Sequence, residues 1–427
     1  MNDLVMKTGR RHAFYLALVS ALGRAPAFLI PVLIAAIFGS GARTDAYFLA
    51  YSAVLLFGGT LAQGVEQAVV PFAARALKRP GALHYLDRAA RGCTVVGLGG
   101  WVVALPILAV LASPALRPSV ASYAICLTPL TLAWCAAATF SGALIAEWRI
   151  ARSTGSMLFR GAGALAGLAL APVGGGLSSV ALGLGAGEIC RAWWLRRSTG
   201  QGLGPDARSE PEALPGLARA ASAQVGASAA IGAAPLGERL LAMSLGVGAV
   251  SHLEYAVRLL TVVSVPFDGA LVPLALARWS AEVARTGPPS RRDVFKVLGE
   301  GLVVAAVIAG LLAVFAPELV HVVLGHGQFR ETDAAIVSEV LRALAAGFVP
   351  NMGASLIERH YIALTRNRLL AGLSVGRVGL RLLTAWVLLG REGLLAFPIG
   401  YAVSEWLYLF TLAALLAEAK PAPRFAR

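Results

Sequence analysis

Charge is scarce in this sequence. Of its 427 residues only 14% are Asp, Glu, Lys or Arg, whereas 57% are hydrophobic. Soluble domains carry about a quarter charged residues, so a water-dispersed globule of this length is excluded. Histidine is rare, with 6 residues. The 4 cysteines, Cys93, Cys126, Cys135 and Cys190, include no C-x-x-C pair and read as small buried apolar side chains. A glycine-rich phosphate loop ending in Lys is missing, as is a polar stretch long enough to hydrolyse a nucleotide outside a membrane. No enzyme chemistry, no cofactor and no metal are therefore expected. The formal net charge of +14 comes with no basic stripe interleaved with exposed aromatics, which argues against nucleic acid as a partner.

Long apolar runs take the place of the missing charge, and the mean hydropathy is +0.71. Lipid is then the solvent for most of the chain, and the 47 glycines suit helices that pack closely in a bilayer. A crossing helix needs about 20 mostly apolar residues, and on that rule the chain divides into about twelve spans. Their limits fall near 13–38, 45–74, 92–112, 119–146, 154–172, 177–195, 217–246, 251–277, 297–316, 334–358, 369–389 and 393–416. The run from 13 to 38 is too long for a signal-peptide core and contains Arg24, Pro26 and Pro31, so it reads as an uncleaved first helix. The expected fold class is all-α, a polytopic integral membrane protein.

Loop charge tests this count independently. One set of loops and ends holds Lys7, Arg10 and Arg11, then Arg75, Lys78, Arg79, Arg88 and Arg91, and further groups around Arg149, Arg196, Arg291, Arg366 and Arg424. The alternate set holds only Arg43, Arg117, Arg330 and Arg391. Basic residues mark the cytoplasmic side, so both termini are expected inside the cell. The polar segment 196–216 reads as a cytoplasmic linker between two six-helix bundles, 1–195 and 217–427.

These halves read as copies. Gly39-Ser40-Gly41-Ala42-Arg43-Thr44 follows the first span, and Gly246-Val247-Gly248-Ala249-Val250-Ser251 follows the seventh. Val70-Pro71 with Arg75 recurs as Val272-Pro273 with Arg278, and Pro129 as Pro350. A parallel repeat about an axis along the membrane normal builds a cavity between two bundles and suits alternating access. A transporter is the expected function.

Charged side chains at membrane depth each need a reason. Arg160, Glu188 and Glu300 lie near cytoplasmic ends and could snorkel. Glu339 and Arg342 are an i, i+3 pair that could neutralise each other. Arg377 and Arg381, four apart on one helix face, are candidates for substrate binding or for pairing with Glu405 of the next helix. Arg24, Arg258 and Asp268 are the strongest cavity candidates. The two arginines are expected to stand without carboxylate partners on their own helices and to hold an anionic head group together. Asp268 and Glu405 could couple transport to an ion. An excess of arginine favours an anionic substrate, since guanidinium binds phosphate bidentately.

The string Ile37-Phe38-Gly39-Ser40-Gly41-Ala42-Arg43-Thr44-Asp45-Ala46-Tyr47-Phe48 resembles the I-F-G-x-G-x-x-T-D-A-F-F motif of the MviN/MurJ family of lipid II flippases. Tyr255-Ala256-Val257-Arg258-Leu259 resembles the family's Y-A-x-R-L, and Gly327, Phe329 and Asp333 resemble its G-x-F-x-x-x-D stretch. The resemblance implies the multidrug/oligosaccharidyl-lipid/polysaccharide exporter fold, and flipping of a lipid-linked saccharide or peptidoglycan precursor to the outer leaflet. It carries cavity roles to Arg24 and Arg258 and a motif role to Asp45. Gly39, Gly41, Thr44, Gly246 and Gly248 become motif positions with structural roles. It also implies membrane lipids and cell-envelope biosynthesis proteins as partners. The sequence departs from the family at Ile30 and Pro31, where a further Arg-Asp pair is usual. It departs again near Gly58 and Gln63, where an arginine and a glutamate are usual. A multidrug or toxic-cation antiporter of the same superfamily, and a transport-inactive membrane interaction protein, are the competing readings.

Overall fold

The computed structural model describes residues 23, 25–26, 28–76, 82–147, 149–200, 225, 229, 232–267, 271–285, 287–364 and 366–418. Arg24, Asp268 and most of the 196–216 linker lie outside them. All regular structure among the described residues is helical. By packing, the chain divides into two compact units, 1–250 and 251–427.

The first unit begins with α1 (Phe28–Phe38) and α2 (Ala42–Val54), which runs through a π-helical turn, Leu55–Gly59, into α3 (Thr60–Ala76). The π turn lies where the chain is small: a Cβ on Gly58 would come 3.0 Å from Thr131, and one on Gly59 would come 3.2 Å from Trp134. No arginine side chain could occupy Gly58 without moving its neighbour. Next come α4 (Ala82–Leu111), α5 (Arg117–Ala146), the short α6 (Ile150–Gly155), α7 (Met157–Leu170) and α8 (Gly176–Gly200). The turn between α7 and α8 uses Gly174 at φ 109° and Gly176 at φ 52°, conformations that a Cβ disfavours. Helix α9 (232–242) closes this unit; a Cβ on its Gly232 would strike Thr60 of α3. Packing thus assigns the seventh span to the first unit, so the packing boundary and the sequence repeat divide the chain at different places.

The second unit comprises α10 (Ala249–Pro266), α11 (Val272–Arg285), α12 (Arg291–Leu324), α13 (Glu331–Ala363), α14 (Asn367–Glu392) and α15 (Ala396–Glu418). Among the described residues, seven stretches of helix are long and apolar enough to cross a membrane. Helices α4 and α12 have the most lipid-like surfaces, with Val95, Val102, Val110, Val303, Val307 and Val314 all exposed. Each carries an internal proline, Pro106 and Pro317, and Pro129 of α5 is matched by Pro350 of α13.

Several helices outrun their hydropathy windows. Helix α4 starts at Ala82 rather than near 92, and α12 spans Arg291–Leu324 rather than 297–316. In α4 the extension is amphipathic: Asp87 accepts two hydrogen bonds from Arg196 of α8, at 2.7 and 2.8 Å. Charges end a hydropathy window without ending a helix.

Candidate functional site

The motif residues form the joints. In the loop before α2, Gly39 has φ 63°, and Gly41 donates its N–H to Thr44 Oγ1, which in turn donates to the Gly41 carbonyl, both at 2.8 Å. Asp45 is buried, and its Oδ2 accepts the backbone N–H of Gly248 at 2.6 Å. Gly246 and Gly248 hold φ 114° and 91°. The two copies of the glycine motif are thus tied to each other within the first unit, and the conformation of the second copy demands glycine. In the second unit Asp333 accepts the Arg330 N–H at 3.1 Å and contacts His252 Nε2 at 2.8 Å. Tyr255 meets Phe329 edge to face with centroids 5.6 Å apart. The Tyr255–Leu259 and Gly327–Asp333 motifs are therefore one packed unit.

Arg258 is not without a partner on its own helix. Its Nε donates to Glu254 Oε1 at 2.6 Å, one turn back, and Glu254 is 1% exposed against 27% for the arginine. This corrects the expectation: an i, i+4 carboxylate orients the guanidinium. Arg24 and Asp268 fall outside the described residues, so the geometry of the cavity set rests on Arg258.

Besides Asp45, Glu254 and the buried Glu238 and Arg239 of α9, each unit holds a buried cluster that joins consecutive helices. In the first, Arg160 of α7 donates Nε–H to Glu188 Oε2 of α8 at 2.6 Å, and Arg191 donates Nη1–H to Glu188 Oε1 at 2.7 Å. Arg191 also donates to Ser156 Oγ at 2.9 Å, and the Arg160 guanidinium lies 3.9 Å from the Trp134 ring centroid. Glu188 is 0% and Arg191 1% exposed. Neither Arg160 nor Glu188 snorkels; each is held inside by the other, because an unpaired ion there would be far more costly.

In the second cluster Arg377 of α14 donates from Nε to Glu405 Oε1 of α15 at 2.8 Å, and its Nη2 lies 2.6 Å from the same oxygen. The same guanidinium reaches Asn351 Oδ1 at 3.0 Å and Glu358 Oε1 at 3.5 Å, both on α13. Tyr408 donates its OH to Glu358 at 2.9 Å while its ring lies 4.7 Å from the guanidinium. Arg381 faces the Tyr401 ring at 4.8 Å. Of the two readings of Arg377 and Glu405, the structure brings them together as a pair. Sequence reasoning missed Glu254, Asn351, Glu358 and Tyr408. A search for carboxylates at i−4 finds the first, but the others meet Arg377 only through helix packing.

Two smaller expectations change. Arg342 donates to the Ala313 carbonyl at 3.0 Å, with no Glu339 contact among the described residues. Cys190 is exposed, while Cys93 and Cys135 are buried as expected. Among the described residues no group of His, Cys, Asp and Glu could hold a metal ion.

Long apolar helices joined by glycine turns, with ion clusters buried inside each unit, define a multi-pass membrane protein. Residues 34–425 match the family described as "Lipid II flippase MurJ", and the chain belongs to that family. A solved lipid II flippase MurJ in an inward closed conformation is similar to it in fold, with a TM-score of 0.76 at 17% identity, covering 94% of this chain and 86% of that one. An inward-facing MATE-family multidrug resistance transporter of the MOP superfamily has a TM-score of 0.68 at 13% identity, covering 95% and 100%. A MOP superfamily transporter from Pyrococcus furiosus, whose binding pocket is described as reversed in polarity, has a TM-score of 0.67 at 15% identity, covering 95% and 96%. None of the curated proteins matches in sequence.

Proposed function

We propose that this chain moves a lipid-linked saccharide with a pyrophosphate-type head group, a peptidoglycan precursor being the member implied by its family, from the cytoplasmic to the outer leaflet of a bacterial membrane. The family match over residues 34–425 carries this reading. Transport is by alternating access between bundles 1–195 and 217–427, with both termini and the 196–216 linker cytoplasmic. It involves no bond-making chemistry. Arg258, oriented by Glu254, and Arg24 hold the anionic head group, and envelope biosynthesis proteins supply and consume the cargo. Arg377 and Arg381 stabilise the second unit through the Glu405 and Tyr401 contacts rather than binding cargo.

A charge-assisted contact to the head group is worth about 1.5–3 kcal/mol, or roughly ten- to a hundredfold in affinity. Flipping of a labelled lipid-linked sugar in proteoliposomes should fall by that factor in Arg258→Ala. Arg258→Lys should recover part of it, because an ammonium lacks the planar fork. Glu254→Gln, which keeps the arginine but weakens its orientation, should lose less than Arg258→Ala. Normal flipping by Arg258→Ala at equal protein level would remove the anion-binding role.

A further inference from the structure

The two buried clusters share an arginine–glutamate pair at equal spacing and differ around it: Trp134, Ser141 and Arg191 stand where the shifted positions hold Asn351, Glu358 and Tyr408. Arg160 and Glu188 are 28 positions apart, and so are Arg377 and Glu405. A shift of 217 positions carries 160 to 377, 188 to 405 and 191 to 408. In each unit the shifted pair joins two helices consecutive in the chain, α7 to α8 and α14 to α15, and in each the guanidinium lies against an aromatic ring. At the third position the clusters diverge. The first unit has Arg191, which occupies Glu188 Oε1 while Arg160 occupies Oε2. The second has Tyr408, whose OH turns to Glu358. Both Arg377 contacts then go to Glu405 Oε1, and Oε2 is buried with no hydrogen-bond partner among the described residues. Glu405 itself is 0% exposed.

A buried carboxylate oxygen without a donor is unfavourable, and a proton on it removes the charge that makes it so. An alkali cation is a poorer occupant, since the Arg377 guanidinium already stands at the other oxygen and would repel it. The charged groups around Glu405 are Arg377 and Arg381 from α14 and Glu358 from α13; Asn351 and Tyr408 touch Arg377, and Tyr401 touches Arg381. Two carboxylates, Glu405 and Glu358, thus share the Arg377 guanidinium.

We propose that Glu405 is a reversible proton-binding site, and that its repeat partner Glu188, with both oxygens occupied by arginine, is a fixed ion. A hydronium ion from the aqueous phase gives up the proton: its O–H bond breaks, leaving water, as an O–H bond forms at Oε2 and the carboxylate becomes a carboxylic acid. Arg377 then has Glu358 as its remaining anion, so its hold shifts from α15 towards α13. Protonation is thereby linked to which helix α14 grips. The proposal rests on the transport reading only for its use, as the coupling site of that cycle.

Infrared difference spectroscopy of the purified full-length protein, between alkaline and acidic buffer, tests it without any lipid substrate. All carboxylates gain a C=O band on acidification, so the reading is the component at the frequency of a buried carboxyl, which should grow in the wild type. Glu405→Gln should lose it, and so should Tyr408→Arg, which supplies the second cation present in the first unit. Tyr408→Phe should keep it. Absence of the band in the wild type, its survival in Glu405→Gln, or its loss on adding sodium at constant pH would overturn the proton site. Glu405→Gln is nearly isosteric, so the test stands even where Tyr408→Arg fails to fold. In proteoliposomes wild-type flipping should respond to an imposed pH gradient, and Glu405→Gln should flip without responding. A titrating Glu405 in a protein that flips nothing sinks the transport reading and leaves the site. Flipping with no titration does the reverse.

Discussion

Glu188 holds two guanidinium groups at once, Arg160 through Oε2 and Arg191 through Oε1, while itself sealed from solvent. Replacing it with glutamine leaves two buried cations without a counter-ion. Breaking a buried pair in this way costs about 3–5 kcal/mol, so Glu188→Gln should show a clearly lowered melting temperature in detergent. An unchanged melting temperature would mean that the cluster is hydrated. Asp45 makes a lesser but similar contribution. Asp45→Ala leaves the Gly248 N–H without its acceptor, a loss of about 1–3 kcal/mol, whereas Asp45→Asn keeps an oxygen there and should cost less in the same melt. At this scale the sequence reading passed over a partner on one helix, Glu254 for Arg258, yet offered one from the next helix, Glu405 for Arg377. Glu254 stands four positions before Arg258, and periodicity alone suffices to find it. That Glu358 meets Arg377 depends on how α13 and α14 rotate against each other, which no spacing rule encodes.

The helices α7 and α8 approach through glycine. A Cβ built on Gly163 would lie 2.2 Å from the Gly183 carbonyl oxygen, and one on Gly187 would lie 2.3 Å from that of Phe159. Such contact distances cannot be relieved by a rotamer change, so Gly163→Leu must separate the helices and with them Arg160 from Glu188. The expected result is loss of folded, monodisperse protein in size-exclusion chromatography, with Gly99→Leu, where a Cβ meets nothing within 4 Å, as the tolerated control. The Asp87–Arg196 bond belongs to the same scale but is worth little, because the arginine is half exposed. Asp87→Ala should shift stability by about 1 kcal/mol at most. Hydropathy located the elements because an apolar run of crossing length leaves few alternatives. It misplaced their ends because α4 and α12 continue beyond the apolar zone as amphipathic helix, where charge is no reason to stop. The π turn at Leu55–Gly59 left only one trace in the sequence, the Gly58-Gly59 pair.

For the molecule as a whole, the proposed topology, argued from loop charge, has Pro205 in the cytoplasm along with both termini. A reporter active only outside the cell should stay silent when fused at Pro205 and become active when fused at Arg117 or Arg391. Activity at Pro205 would invert the topology and undo the pairing of the halves as a parallel repeat. The all-helical membrane fold was legible from composition and apolar run length. Two short motifs led to the expectation of a repeat, whereas the place where packing divides the chain left no such signal. Sequence symmetry points to a division near 196–216, whereas α9 and the Gly246–Gly248 turn pack with what precedes them.

That placement has a consequence for biogenesis. The first unit contains a bond between Asp45 and Gly248, 203 positions apart in the chain. A nascent polypeptide that has delivered α8 to the bilayer still lacks α9 and the acceptor's donor, so its first unit waits, unfinished, for segments encoded beyond the linker. Ribosome-stalled chains of increasing length should therefore become protease-resistant in one step, after residue 250 has left the exit tunnel, and not when residue 200 has done so.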